Sequence, residues 1–352
     1  MAPVRFGAVP ENPVERLIVR LNLAPRPLLE TQMAYTLARV IMVGTKVGVF
    51  DALSDGPATP EQVAERCGTS AAGTQKLLFA LAGAGYVSAD DGGYALTPVA
   101  RKWLLRDSPS SIADKMLFQF LEWDWMERAE DYVRTGEPLD LHRADMSADD
   151  WDLYQRGMRA LANAFSAEAV KRMPVPKGAK RMLDIGGSHG YYSVALCRRH
   201  EGLRSEVLDL PAAVERAAPL LAAEGMGDRV VHRAGDALTT DLDGEAYDLV
   251  LISQLVHHFT AEQNRELAAR VAAALRPGGV FAVLDEFRPR TPKDAGQLGA
   301  LLEFYFAMTS ESGTWAVEEI ADWQRGAGLE PRRPIRFRSV PGVGIQAATK
   351  PG

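Results

Sequence analysis

After "PVPKGAKR", residues 174–181, the chain alternates short apolar runs with helical stretches. No other feature constrains the fold so tightly. The runs are "RMLDIG", "RSEVLDL", "RVVHRAGD", "YDLVLISQ" and "GVFAVLDEF", and "PIRFRSV" with "VGIQAATK" closes the chain as a hairpin. Apolar strands separated by helices must bury both faces, which calls for a doubly wound, mostly parallel sheet. In such a sheet, ligands sit beyond the carboxyl ends of the strands. Asp184, Gly186, Asp209, Asp236 and His257 all fall at or just after strand ends, which puts them on one rim.

The front of the chain follows another rhythm. Residues 1–30 read as a proline- and arginine-rich arm with a short helix, and apolar residues at helical spacing follow through residue 53. In "TPEQVAERCGTSAAGTQKLLFALAGAGYV", Thr59 caps a helix with Pro60 at its first position, Gly68 ends it, and Ser70 starts the next. "YVSADDGGYALT" then gives two short strands around Asp90-Asp91-Gly92-Gly93. This is a winged-helix order. A DNA-binding reading fails on charge: the second helix carries only Lys76, the tip carries two aspartates, and the chain's net charge is -6. The module reads as a packing or dimerisation device, and no nucleic acid is expected.

The division expected is 1–110 for the arm and winged helix, 111–175 for a helical linker, and 176–352 for the ligand-binding domain. Cys67 and Cys197 form no pattern, no apolar run approaches the roughly 20 residues of a membrane span, and the N-terminus has no signal-peptide core. A cytoplasmic protein without membrane partners is expected. Residues 112–138 read as one helical run ending at Gly136 and Pro138, and Ser147 caps the next helix. Trp123, Trp125, Met126, Tyr154, Met158, Phe165, Phe304, Phe306 and Met308 crowd these helices and the one near residue 304, which suits a large, flat, apolar substrate.

The glycine knot "LDIGGSHG" decides the ligand. A dinucleotide fold shows G-x-G-x-x-G and reserves a helix N-terminus for pyrophosphate. Here Asp184 precedes Gly186 and Gly187, and its charge opposes a phosphate. A cofactor with a sulfonium, an ammonium and a ribose diol removes the conflict, which describes S-adenosylmethionine. Asp209 follows the glycines at the spacing of a ribose-binding acid, and Asp236 is placed to accept from an adenine amine. Leu210, Ala237 and Ser253 complete the expected cofactor set. A metal would need a third ligand beside His257 and His258; His189 and Asp285 could converge there, but no familiar spacing supports it, and none is assigned.

The order winged helix, helical linker, "LDIGGSHG", "LDLP", "GD", "LVHHF", "LRPGG" resembles the S-adenosylmethionine-dependent O-methyltransferases of the caffeate, flavonoid and acetylserotonin type, with their bacterial natural-product relatives. The resemblance spans about residues 30–350. It implies a class I methyltransferase domain behind a dimerisation domain, a homodimer, and a small aromatic substrate. Aligned on the family's His-Asp-Trp, His257 takes the position of the general base, His258 replaces the acid and Phe259 the tryptophan. A histidine near pKa 6.5 can take a phenol's proton as the methyl moves. The resemblance gives Asp285 the role of orienting His257. The family's second orienting acid falls at Thr314 or Trp315, where this chain has none. The expected substrate contacts are Trp123, Met126, Tyr154, Met158, His258, Phe304 and Met308. Carbon or nitrogen methylation, a ligand-sensing regulator and a non-methylating relative are the competing readings.

Overall fold

The computed structural model describes residues 7, 9–91, 93–139, 146–340 and 342–352. The chain forms two compact units, divided between Glu122 and Trp123.

In the front unit, Thr59 and Gln62 form a reciprocal capping box at the head of the helix Pro60–Cys67, and Gly68 ends it with φ 65°. Ser70 caps the helix Ala71–Gly83 through Gly73 N. Strands β1 (Val87–Asp90) and β2 (Gly93–Leu96) pair antiparallel, with Val87 opposite Leu96. Gly92, in the turn expected between them, lies outside the described residues. Val49, Phe50, Leu53, Leu78 and Leu81 are 0–1% exposed and form this unit's core. Each such side chain contributes about 1.5–3 kcal/mol of burial free energy. Ahead of the core, Leu17, Leu21, Leu28, Met33, Tyr35 and Leu37 stand exposed.

The back unit is built on strands β3 (Arg181–Ile185), β4 (Arg204–Asp209), β5 (Val230–Ala234), β6 (Tyr247–Ser253), β7 (Leu275–Glu286), β8 (Glu330–Pro331), β9 (Ile335–Arg336) and β10 (Val343–Thr349). Their order is β5-β4-β3-β6-β7-β10-β8, with β9 also paired to β10. From β5 to β7 all pairings are parallel, whereas β10 runs antiparallel to β7, Ile345 opposite Leu284. The chain winds outward from β3 to β5 and then returns to lay β6 against β3. The order therefore reverses between β3 and β6, the switch point at which this architecture binds ligands. Apolar side chains pack on both faces, Leu183, Ile185 and Val250 on one and Met182, Val207 and Leu251 on the other. This confirms the doubly wound reading.

The run 112–138 is two helices, Ala113–Met126 and Ala129–Thr135, because the chain turns at Glu127 and Arg128, where Arg128 N donates to Trp125 O. Strand β7 starts at Leu275, ahead of the expected Gly279, because Gly278 and Gly279 pair with Lys350 at the end of the chain.

Candidate functional site

The glycine loop leaves β3 at the switch point. Gly186 has φ 69°, and a Cβ there would stand 2.6 Å from Leu255 Cδ2. A Cβ on Gly187 would meet the Asp184 carboxyl carbon at 2.6 Å. Only glycine lets the loop close over these neighbours. Ser188 holds a left-handed φ of 46°, a strained backbone for a non-glycine residue. Its surroundings fix it: Ser188 N donates to Asp209 Oδ2 (2.8 Å), Ser188 Oγ donates to Gln155 Oε1, and His232 Nε2 donates to Ser188 O (2.8 Å).

Asp184 stands one residue inside the end of β3, 1% exposed. Its Oδ2 accepts from Ser193 Oγ at 2.6 Å, and among the described residues Oδ1 has no partner. Burial pushes its carboxyl up to about 7, against the pull of the Ser193 bond and with a further push from Asp209. At the end of neighbouring β6, Ser253 Oγ is likewise buried without a partner among the described residues. Two orphaned polar atoms on adjacent strand ends are what a polar, cationic ligand in the crevice would satisfy. Asp209 is half-buried, its Oδ1 accepting from Leu210 N (2.7 Å). Leu210 is 50% exposed. Asp236 Oδ1 accepts from Leu238 N (2.7 Å), and the Arg270 guanidinium holds Ala237 O (2.5 Å). These residues fit a ligand with an ammonium or sulfonium, a diol and an adenine, and every one lies on the carboxyl edge of β3 to β6.

His257 sits in the short turn Val256–His258 beyond β6. The turn is pinned through Val256 O, which accepts from Asn264 Nδ2 and Trp315 Nε1, both at 2.9 Å. Thr260 and Gln263 cap the helix Ala261–Ala274 reciprocally, as the sequence predicts. His257 is 4% exposed, and its Nδ1 lies 3.1 Å from Asp285 Oδ1 and 3.3 Å from Oδ2. That contact assigns the Nδ1–H tautomer and leaves the Nε2 lone pair for a proton. Glu286 N donates to Asp285 Oδ1 at 2.8 Å and steadies the carboxylate. The His257 ring packs against His258 (centroids 4.3 Å apart) and Phe306 (4.9 Å).

The other candidate contacts are spread more widely. Phe304 lies edge-on to Tyr132, Tyr154 edge-on to Trp151, and Met308 is fully buried. Trp123 and Met158 are half-buried, and Met126 is exposed. Phe306, one of the aromatics singled out in sequence, is in ring contact with His257. Gln155, Ser188, His232 and Glu303 escape sequence reasoning. Gln155 alone carries a local signal, being a buried polar residue on a core-facing helix turn beside Gly157 and Ala160.

Comparison with known proteins bears directly on this site. Residues 134–330 match the family model of the O-methyltransferase domain, and residues 29–106 match that of the O-methyltransferase dimerisation domain. A 3-hydroxy-5-methyl-1-naphthoate 3-O-methyltransferase of Streptomyces sahachiroi is 28% identical over 340 residues, 92% of this chain and 95% of that protein. The N,N-dimethyltransferase OxyT of Streptomyces rimosus is 26% identical over 335 residues, 93% and 96% of the two chains. The structure of human N-acetylserotonin methyltransferase in complex with SAM has the same fold, with a TM-score of 0.82 over 98% of this chain and 100% of that one at 17% identity.

Proposed function

Because the chain belongs to the O-methyltransferase family, matched over more than half its length, we propose that it methylates a hydroxyl oxygen of a small aromatic molecule, with His257 as the base. The methyl donor is S-adenosylmethionine, whose sulfonium methyl carbon an oxygen nucleophile can attack, with S-adenosylhomocysteine as the leaving group. The residues proposed to hold it are Asp184, Gly186, Gly187, Asp209, Leu210, Asp236, Ala237 and Ser253. An adjacent cation would draw the Asp184 proton off, since that carboxyl titrates at about 7.

The observation that carries the base assignment is the buried contact between His257 Nδ1 and Asp285. As the acceptor oxygen attacks, its proton passes to His257 Nε2, and the imidazolium is stabilised by the carboxylate on its other nitrogen. Phe306 and His258 crowd the ring, limiting its rotation and keeping water from it. An aromatic acceptor suits the half-buried aromatics around residues 123–158 and at 305–306, and the naphthoate enzyme from Streptomyces sahachiroi has such a substrate in its name. The dimerisation domain and the exposed apolar residues at 17–37 support a homodimer, for which light scattering should give twice 38.3 kDa.

Incubation with methyl-labelled S-adenosylmethionine and a panel of catechols, hydroxynaphthoates and quinols tests the reading. An O-methyl resonance in the product supports it. Label on nitrogen or carbon replaces it with the second reading, which the relative OxyT favours. No product from any hydroxylated aromatic, while their amino counterparts react, overturns the oxygen assignment.

A further inference from the structure

Thr314 is 1% exposed, and its hydroxyl donates to Glu303 Oε2. Glu303 lies on the helix Pro292–Thr309, one turn ahead of Phe306, whose ring rests on His257. Residues three apart on a helix share a face, so this face presents a carboxylate and the base's ring contact together. The segment that follows is tied to the same turn: Ser312 N donates to His257 O (3.3 Å) and Trp315 Nε1 to Val256 O (2.9 Å). We propose that Glu303 is a positioning residue for the reaction, supplying through Thr314 the second carboxylate that supports His257. The proposal rests on the reading of His257 as the base.

The charge balance argues for this role. Glu303 is half-buried, and among the described residues its carboxylate has only the Thr314 hydroxyl as a hydrogen-bond partner. A carboxylate withdrawn from water without a cation is costly. The surrounding groups do not neutralise it. Asp285 is an acid already facing His257 Nδ1. Glu286 is pushed up to about 8 by burial, by Asp285 and by Glu303 itself, so it holds its proton at neutral pH and adds no cation. Arg288 touches Thr314 O, but its other nitrogen is bonded to Glu319 (2.5 Å). The positive charge that complements Glu303 is the one that forms on His257 when the acceptor's proton arrives. A threonine at 314 is then no loss of function, because its hydroxyl fixes a carboxylate brought in from the neighbouring helix.

The test follows the His257 imidazole by nitrogen-15 NMR in the protein without substrate, and turnover of a hydroxynaphthoate alongside it. Glu303→Gln should lower the imidazole midpoint by about half a unit or more, since a nearby carboxylate favours the charged ring. It should also lower kcat about 3–30-fold with KM little changed. Thr314→Glu added to Glu303→Gln should restore both. An unmoved midpoint in Glu303→Gln, or a double variant that folds and restores neither, overturns the proposal. If Glu303→Gln fails to fold, Thr314→Val provides the same reading: a lowered midpoint supports the role and an unchanged one refutes it. If no hydroxynaphthoate is methylated, the fault lies with the substrate reading, and the imidazole titration still decides about Glu303.

Discussion

At the mouth of the glycine loop, two buried polar atoms, Asp184 Oδ1 and Ser253 Oγ, have no partner among the described residues. At His257, a few residues further along the same sheet edge, the Nδ1 atom is bonded, the carboxylate that holds it is bonded in turn, and the backbone carbonyl is occupied. The first region leaves two side-chain atoms open, whereas the histidine ring and its carboxylate are held; the open atom near them, Asn264 Oδ1, belongs to the residue that pins the turn. A ligand site gains affinity by completing polar groups that the fold leaves open. A base gains rate by having its ring and tautomer settled before the proton moves. On the proposed reading, these neighbouring regions do different work, binding at the loop and proton transfer at the histidine. Substitutions should separate them.

The largest effect is expected at the histidine. His257→Ala should lower turnover by about 10²–10⁴-fold, the usual worth of a positioned base, and leave calorimetric affinity for S-adenosylmethionine nearly unchanged. An equal loss of affinity would merge the two regions and break the comparison. At the open site, Asp209→Ala removes a charge-assisted hydrogen bond and should weaken S-adenosylmethionine by about 10–150-fold, roughly 1.5–3 kcal/mol. Wild-type affinity in that variant would remove Asp209 from the cofactor set.

Protons sharpen the contrast further. Asp184 titrates at about 7, so if its ionised form meets the cofactor's positive charge, affinity should rise with pH by up to about tenfold per unit below that value. Asp184→Asn should flatten the profile, and a slope that survives the substitution would assign it to another group. The effect on folding has the opposite direction. A carboxyl raised from 3.8 to about 7 binds more protons folded than unfolded, so its contribution is present below its unfolded pKa and is lost as pH rises through 7.

The smallest effect concerns a contact away from both regions. Burial raises the Glu168 carboxyl, but bonds from Ser339, Arg172 and Arg338 outweigh it and hold the group at about 2. A lowered folded pKa contributes stability above the ordinary value of 4.5, and that stability is lost as pH falls toward 2. Between pH 5 and 3, the melting temperature of the wild type should therefore fall more steeply than that of Glu168→Gln. Parallel curves would show that this contact has no part in acid unfolding.

The two regions also differ in how far the sequence reveals them. The glycine loop is contiguous, and its acids stand at the ends of successive apolar strands, so pattern alone places Asp184, Asp209 and Asp236. Helix caps at Thr59, Ser70, Ser147 and Thr260 are equally local, since each side chain bonds a backbone three residues on. The histidine site gathers the turn at 256–258, the end of β7 and the segment 303–315. His257 and Asp285 are reached by resemblance, but Glu303 has no signal, because nothing near it in sequence tells that its carboxylate meets Thr314. Likewise the break at Glu127 and the early start of β7 depend on hydrogen bonds that apolar spacing does not encode.

The claim that His257 and Asp285 act as one proton-accepting unit is tested most directly by a double-mutant cycle on turnover, with label from S-adenosylmethionine as the readout. Asp285→Asn alone should slow the wild type, by less than His257→Ala does, because it loosens the ring without removing the base. In the His257→Ala background the same change should cost almost nothing, since no ring remains to be held. Two losses that multiply, or an Asp285→Asn effect undiminished without the histidine, would contradict the account.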